Sequence, residues 1–204
     1  RRHRPCSSPP SAHVREPGLE CWEHALGVTV RVCGCAHDRA DHPRALIVTD
    51  GVFSMDGDLA PIGELADIAA EHDAWLMTDD AHGIGVLGGG RGSGYVNGGG
   101  GRVPLQMGTL SKAIGGYGGY LCASKAVIDL ILSRGRTLIY STGLPPGVVA
   151  AAITALDLIE NDPEFAALPL GKARAFTRML DLPEAESPIV PVVLGETGTT
   201  MAAA

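Results

Sequence analysis

Residues 74–85 read AWLMTDDAHGIG, an apolar run that leads into two aspartates and then into glycine-rich sequence. A short apolar run that ends in polar residues is typical of a buried strand in a parallel sheet. The same pattern occurs upstream in ALIVTD, residues 45–50. Between the two, PIGELADIAAEHD (61–73) begins with proline and carries apolar residues on one helical face, which predicts a helix. Strands that alternate with helices favour an α/β fold with a mainly parallel sheet.

The rest of the chain continues this alternation. Two further strands are predicted, at residues 105–109 and 118–123, and two further helices, at residues 124–134 and 146–160. A turn after residue 180 is predicted to lead into a last strand at 189–194. The tail TGTTMAAA (197–204) has no structural signal.

Composition sets limits on the class of protein. With 204 residues, 45% of them hydrophobic, the chain suits one domain with a sizeable core, or one domain with part of another. A net charge of −7 argues against a general nucleic-acid binder, which needs surplus positive charge. No apolar run reaches the length of a membrane span, and the basic first residues lack the apolar region of a secretory signal. We therefore expect a cytoplasmic protein.

The first 43 residues differ in composition from the rest. They hold four of the five cysteines and five of the seven histidines, together with dense arginine and proline. The spacings Cys21-x-x-His24 and Cys33-x-Cys35-x-His37 suggest zinc, but they fit no common closed zinc site, so we predict no metal. Our hypothesis for this stretch is an out-of-frame translation of GC-rich DNA. Translating the upstream nucleotide sequence in all frames tests the hypothesis, and absence of family-like sequence in every frame would exclude it.

A second motif suggests a dinucleotide site. GIGVLG (83–88) matches the fingerprint G-x-G-x-x-G and follows a predicted strand. The fingerprint works only where a helix begins at the glycines, with an acidic residue about 20 positions further on. Here more glycines follow at 89, 90 and 92, and no such acidic residue is present. The motif is therefore not interpreted as an NAD site.

Three predicted strands end at Asp50, Asp79 and Thr109, and ligands of α/β sheets bind at such carboxyl ends. Five motifs lie at or beyond these ends: DGVFSMDGD (50–58), DDAHG (79–83), GRGS (90–93), TLSKAIGG (109–116) and YSTGLPP (140–146). In this order and spacing they resemble the α-oxoamine synthases, pyridoxal-phosphate (PLP) enzymes of the aspartate-aminotransferase-like fold, known as fold type I. The resemblance covers roughly residues 44–194.

The resemblance implies a partial molecule. Residues 44–160 would form part of the large PLP-binding domain, and residues 161–204 would begin the small C-terminal domain, truncated. Residues 1–43 are left unmatched, as out-of-frame or disordered sequence. Three elements of the family's site fall outside the match: the glycine-rich phosphate loop, the histidine that stacks on the cofactor, and the arginine that grips the substrate carboxylate.

The resemblance also implies roles for individual residues. Lys112 would hold PLP as a Schiff base, and its small or apolar neighbours suggest a desolvated amine with a lowered pKa. Asp79 would face the pyridine nitrogen and keep it protonated, which makes the ring a better electron sink. Asp80 is expected to be an ordinary residue of the strand-end turn.

Further contacts to the cofactor follow in the same way. His82 would lie beside its 3-oxygen, Ser54 would approach its ring and oxygen, and the Thr109 hydroxyl would bind its phosphate. In this family Ser141 or Thr142 would touch the phosphate of the neighbouring subunit, which implies a homodimer with shared sites.

The chemistry implied is a decarboxylative condensation of L-alanine with pimeloyl-CoA or pimeloyl-carrier protein, giving 8-amino-7-oxononanoate for biotin synthesis. Lys112, His82 and Asp79 are the expected catalytic residues of this acyltransferase. Two alternatives stay open within the family: a glycine C-acetyltransferase or 5-aminolevulinate synthase, and a non-catalytic partner subunit. Retention of Lys112, Asp79 and His82 argues against the non-catalytic subunit, which needs none of them.

Overall fold

A computed structural model describes the backbone of residues 19–23 and 29–33 and the whole of residues 45–203. Six strands form one sheet in the order β1-β2-β3-β4-β5-β6. The strands are β1 Leu19–Glu23, β2 Thr29–Cys33, β3 Ala45–Asp50, β4 Ala74–Asp79, β5 Leu105–Thr109 and β6 Gly119–Cys122. The helices are α1 Ile62–Glu71, α2 Lys125–Arg134, α3 Arg136–Ile139, α4 Pro146–Asn161, α5 Pro163–Met179 and α6 Thr197–Ala203.

The α/β fold predicted from the sequence is confirmed, and β4 lies at the centre of its parallel part. β3 pairs with β4 from Ala45↔Ala74 to Asp50↔Asp79, and β4 pairs with β5 in the same direction. The flanking strands run antiparallel: β2 against β3, and β6 against β5. β6 reverses because only nine residues, 110–118, join it to β5, too few for the crossover that a parallel pair needs.

The two faces of β4 have different environments. Leu76, Thr78 and Asp80 are almost completely buried, whereas Trp75 is 51% exposed and Asp79 is half-buried. Successive side chains of a strand point to opposite faces, so this alternation separates a packed face from an open one. Helix α1 covers the packed face, as its sequence predicts. The hydrophobic core between this helix and the sheet consists of Ile47, Ala60, Ile62, Leu65, Ala66, Ala69, Leu76 and Val103.

A second, smaller core lies beyond β5. Ile114, from the loop after β5, packs with Ala152 and Ile159 of α4 and with Ala166 of α5. Helix α2, by contrast, has no buried residue. Large apolar side chains are exposed along α2, α3 and α4: Leu130, Leu132, Leu138, Ile139, Val149, Ile153, Leu156 and Leu158.

One prediction for the C-terminal region is wrong. Residues 189–194 form no strand and pair with none of the strands in the described residues. Ile189 instead packs against the turn at Gly57, where a Cβ atom would overlap the Ile189 carbonyl oxygen. The tail, which has no structural signal in its sequence, forms helix α6. Helix α5 was also not predicted.

The structure does not test the expectations for the first 43 residues. The zinc spacings from Cys21 to His37, and the out-of-frame hypothesis for residues 1–43, lie outside the residues whose side chains the structure describes.

None of the helices in the described residues is long and apolar enough to cross a membrane.

The packed face predicts a clear asymmetry in stability. Ile62 is fully buried in the α1 core, so Ile62→Ala should lower the free energy of unfolding by about 2–5 kcal/mol through lost burial and a cavity. Leu132→Ala on α2, where the side chain is 58% exposed, should change it by less than about 0.5 kcal/mol. Urea unfolding followed by circular dichroism measures both. Equal losses in the two variants would contradict the assignment of the core.

Candidate active site

The site is built at the carboxyl ends of β4 and β5. The Lys112 Nζ atom lies 2.7 Å from the Nε2 atom of His82, although 30 residues separate the two in the sequence. A lysine ammonium has only donors, so it donates to the unprotonated Nε2 of a neutral imidazole. The sequence predicted a desolvated amine, but Lys112 is exposed in this structure. The structure thus leaves the amine accessible from solvent.

The surroundings of His82 favour the neutral ring. Partial burial and the positive charge of Lys112 lower the pKa of His82 from its ordinary value of 6.5. The carboxylates of Asp79 and Asp50 oppose this shift. A neutral imidazole can keep accepting the lysine proton at neutral pH, so the electrostatics and the hydrogen bond agree.

Asp79 is the last residue of β4 and belongs to its open face. Its Oδ1 atom accepts a hydrogen bond of 3.0 Å from the amide of Ala81, which fixes the carboxylate above the turn. This places Asp79 near enough to His82 to influence its pKa, on the side of the sheet that α1 does not cover. The predicted residues Lys112, His82 and Asp79 are therefore brought together.

Thr109 stabilises the beginning of the loop that carries Lys112, residues 110–118, which we call the lysine loop. Its hydroxyl donates to the carbonyl of Gly118 at 3.1 Å, lies 2.7 Å from the Ser111 hydroxyl and accepts the Ser111 amide at 3.2 Å. In this structure Thr109 organises its own loop, and the phosphate contact expected of it stays a prediction.

The loop that carries Lys112 is closed by its own backbone. The amide of Gly115 donates to the Lys112 carbonyl at 2.9 Å, and the amide of Gly116 donates to Leu110 at 2.7 Å. Gly115 has φ of +68°, a conformation that glycine adopts without strain. The buried side chain of Ile114 anchors the loop to α4 and α5. Lys112 is therefore exposed but mounted on a well-defined turn.

The other predicted residues are less closely associated. Ser54 lies in an exposed turn, and among the described residues no hydrogen bond joins it to Lys112, His82, Asp79 or Thr109. Ser141, also exposed, donates to the carbonyl of Thr137, and Thr142 is exposed beside it.

Asp80 was interpreted as an ordinary turn residue, and that interpretation is wrong. It is 1% exposed, and both of its carboxyl oxygens accept the amide of Ser93, at 2.9 and 3.1 Å. Burial raises the pKa of Asp80, the hydrogen bonds from Ser93 oppose the shift, and Asp79 adds to it. The alternation of buried and open residues along β4 was the signal that could have revealed it, since Asp80 continues the series Leu76, Thr78.

The residues present fit pyridoxal phosphate. An accessible lysine amine, an adjacent imidazole and a carboxylate on the same side of the sheet are the groups that this cofactor requires of a protein. Thr109 adds a hydroxyl group at the end of a strand. The glycines at 115 and 116 leave room for a ligand to approach the backbone closely.

The fold and site together define a class of protein. A model of the family "Aminotransferase class I and II" matches residues 27–197, and the chain belongs to that family. The match begins within the first 43 residues, which the sequence analysis left outside the resemblance.

Among curated proteins, the chain is similar to 8-amino-7-oxononanoate synthases. It is 66% identical to that of Methylocella silvestris over 160 residues, which cover 78% of this chain and 45% of the relative. It is 60% identical to that of Beijerinckia indica over 169 residues, which cover 83% of this chain and 44% of the relative. The resemblance to the α-oxoamine synthases is thereby confirmed. The chain spans less than half the length of these relatives.

Solved structures agree. A serine palmitoyltransferase from S. paucimobilis with a bound PLP–myriocin adduct superposes with a TM-score of 0.69 at 31% identity, covering 75% of this chain and 42% of the other. The 8-amino-7-oxononanoate synthase of Francisella tularensis gives a TM-score of 0.53 at 31% identity, covering 65% of this chain and 39% of the other. The fold type predicted from the motifs is confirmed.

The charges around His82 give a prediction with opposite signs in two variants. Lys112→Met removes a positive neighbour and should raise the pKa of His82, whereas Asp79→Asn removes a negative neighbour and should lower it. Each shift should be about 0.2–0.7 unit, because exposed charge pairs are worth about 0.2–1 kcal/mol. NMR titration of the His82 ring measures them, with His72 as an internal reference. Shifts of the same sign in both variants would contradict this electrostatic arrangement.

Proposed function

We propose that this chain is the cofactor-binding part of a PLP-dependent acyltransferase that condenses L-alanine with pimeloyl-CoA or pimeloyl-carrier protein to 8-amino-7-oxononanoate. The observation that carries the proposal is the 2.7 Å contact between Lys112 and His82 beside Asp79, at the end of two parallel strands. The high identity to 8-amino-7-oxononanoate synthases supports the choice of substrates. These relatives favour that activity over the alternative of a glycine C-acetyltransferase or 5-aminolevulinate synthase.

Each residue has a distinct task in this proposal. Bound pyridoxal phosphate supplies an electron sink for the charge that develops at the alanine α-carbon. Lys112 would hold the cofactor through its amine, and its Nζ atom would take up the α-proton of alanine. Asp79 would place negative charge near the pyridine nitrogen, which would keep that nitrogen protonated.

His82 would orient the lysine amine, and Thr109 would orient the cofactor's phosphate. The neutral His82 ring accepts a hydrogen bond from Lys112 and so directs the amine towards the open face. In the loaded protein it would lie beside the cofactor's 3-oxygen. The Thr109 hydroxyl, three residues before Lys112, would bind the phosphate, and Ser54 would approach the ring from its exposed turn.

The whole protein is proposed to be a cytoplasmic homodimer, with Ser141 or Thr142 near the partner's phosphate site. The large apolar side chains exposed on α2, α3 and α4 support a partner surface there, because such side chains are normally covered in an assembled protein. A non-catalytic partner subunit is disfavoured, since it has no need of an accessible lysine hydrogen-bonded to an imidazole.

The lysine assignment is tested by absorbance. Adding pyridoxal phosphate to the chain should produce the visible band of a lysine-bound cofactor, and Lys112→Ala should abolish it. Lys125→Ala is the matched control, because Lys125 is an exposed lysine on α2 engaged with Asp129. A band that survives in Lys112→Ala but disappears in Lys125→Ala would overturn the assignment.

The reaction is tested by turnover. We expect little or no 8-amino-7-oxononanoate from L-alanine and pimeloyl-CoA with the 204-residue chain, because it spans less than half of its relatives. A chain extended to the relatives' length should be active, and Lys112→Ala in that chain should lose activity on the order of 10³-fold or more. Mass spectrometry detects the product. Robust turnover by the short chain would show that the additional segments are dispensable.

A further inference from the structure

Asp80 is a buried carboxyl group to which the proposed chemistry assigns no task. It lies directly beside Asp79 but on the packed face of the sheet, where it is 1% exposed and Ser93 is 0% exposed. Both carboxyl oxygens accept the Ser93 amide, across 13 residues of sequence. The side chain therefore ties the glycine-rich loop to the end of β4.

The backbone of Asp80 fixes two other elements. Its amide donates to the carbonyl of Met107 on β5 at 2.7 Å. Its carbonyl accepts the amides of Gly83 and Ile84, both at 3.0 Å, and so closes the turn that contains His82. One residue thus connects β5, the glycine-rich loop and the His82 turn.

Three glycines enclose this contact. A Cβ atom at Gly83 would overlap Oδ1 of Asp80, one at Gly92 would overlap Oδ2, and one at Gly51 would overlap the Ser93 hydroxyl. Gly92 also has φ of +97°, which glycine alone adopts readily. The carboxyl group has little room for any other orientation.

The contact between the Asp80 carboxyl group and Ser93 contributes little net stability. A buried carboxyl group loses hydration, and hydrogen bonds from a single neighbouring residue recover only part of that loss. Its larger effect is on geometry: His82 lies two residues beyond Asp80, inside the turn that the Asp80 carbonyl closes. The direction of the His82 ring therefore depends on Asp80 staying in place.

We propose that Asp80 is a positioning residue for His82: its carboxyl group, held by Ser93 and enclosed by Gly83 and Gly92, orients the turn so that His82 meets Lys112 on the open face. The catalytic meaning of this role rests on the proposed function. The placement itself does not, because the contact between His82 and Lys112 is present without a cofactor.

The test uses the pKa of His82 in the 204-residue chain, measured by NMR and assigned with His82→Gln. The groups that act on His82 are Lys112, Asp79 and Asp50. In Asp80→Ala the turn should loosen, and partial burial and the contact with Lys112 should both weaken. The pKa of His82 should then rise towards its ordinary value, because both effects lower it in the parent. Loss of a negative charge alone would lower the pKa, so the sign separates positioning from charge.

Two further variants sharpen the result. Asp80→Asn keeps a carbonyl oxygen for the Ser93 amide and should leave the His82 pKa close to that of the parent. Asp56→Asn, at an exposed turn, is the control for loss of an aspartate and should change nothing. If Asp80→Asn and Asp80→Ala lower the pKa of His82 by the same amount, the proposal is overturned in favour of a charge effect; if both raise it equally, the hydrogen bond to Ser93 is not what positions His82, which also overturns it.

Gly83→Ala provides an independent perturbation, since its Cβ displaces the Asp80 carboxyl group without changing any charge. It should raise the His82 pKa as Asp80→Ala does, and the double variant should shift it no further than either alone, because the two changes break the same contact.

An unchanged or lowered His82 pKa in Asp80→Ala or Gly83→Ala, with the parent's circular dichroism retained, would overturn the proposal. Loss of the fold in both variants would show that Asp80 serves folding alone, which also overturns it. None of these readouts needs pyridoxal phosphate, so they are independent of the cofactor assignment to Lys112.

Discussion

Neighbouring side chains of a β-strand point to opposite faces of the sheet, and at the end of β4 this constraint separates Asp79 from Asp80. Asp80 joins the packed face with Leu76 and Thr78, whereas Asp79 joins the open face with Trp75. A shift of one residue in register would exchange the two carboxyl groups and remove Asp79 from the site. The parallel pairing of β4 with β3 and β5 therefore determines which acid is available for chemistry.

The lysine loop depends on packing of a different kind. Ile114 is buried against α4 and α5, two residues after an exposed Lys112. The same loop is closed by backbone hydrogen bonds at Gly115 and Gly116. Rigid support beneath an accessible side chain is what an active-site lysine needs, because its amine must be both reachable and directed. The small core beyond β5 thus serves the site as much as the fold.

Local sequence pattern was sufficient for much of the architecture. β3 to β6, α1, α2 and α4 follow from apolar periodicity and from prolines at helix starts. The false strand at 189–194 shows the limit, because a short apolar run cannot reveal whether a partner strand is present. Helix α5 was missed although Asp162 and Pro163 form a recognisable helix start, in which the Asp162 side chain accepts the Phe165 amide at 2.9 Å. Pro169 lies inside this helix, at a position where proline normally argues against a continuous helix.

The site could be predicted only in part, because local sequence pattern does not show which distant segments come together. The order of motifs predicts that Lys112, His82 and Asp79 belong to one site, and the structure places them close together. The burial of Asp80 could not be predicted in this way, because it depends on a loop 13 residues further along the chain folding back to bring Ser93 to Asp80. Lys112 is the residue proposed to hold the cofactor. The most direct test of this assignment is borohydride reduction of the chain after incubation with pyridoxal phosphate, followed by peptide mass spectrometry. The chain has three lysines, Lys112, Lys125 and Lys172. We expect the reduced adduct on Lys112; an adduct distributed equally over all three lysines, or confined to Lys125 or Lys172, would contradict the assignment of Lys112.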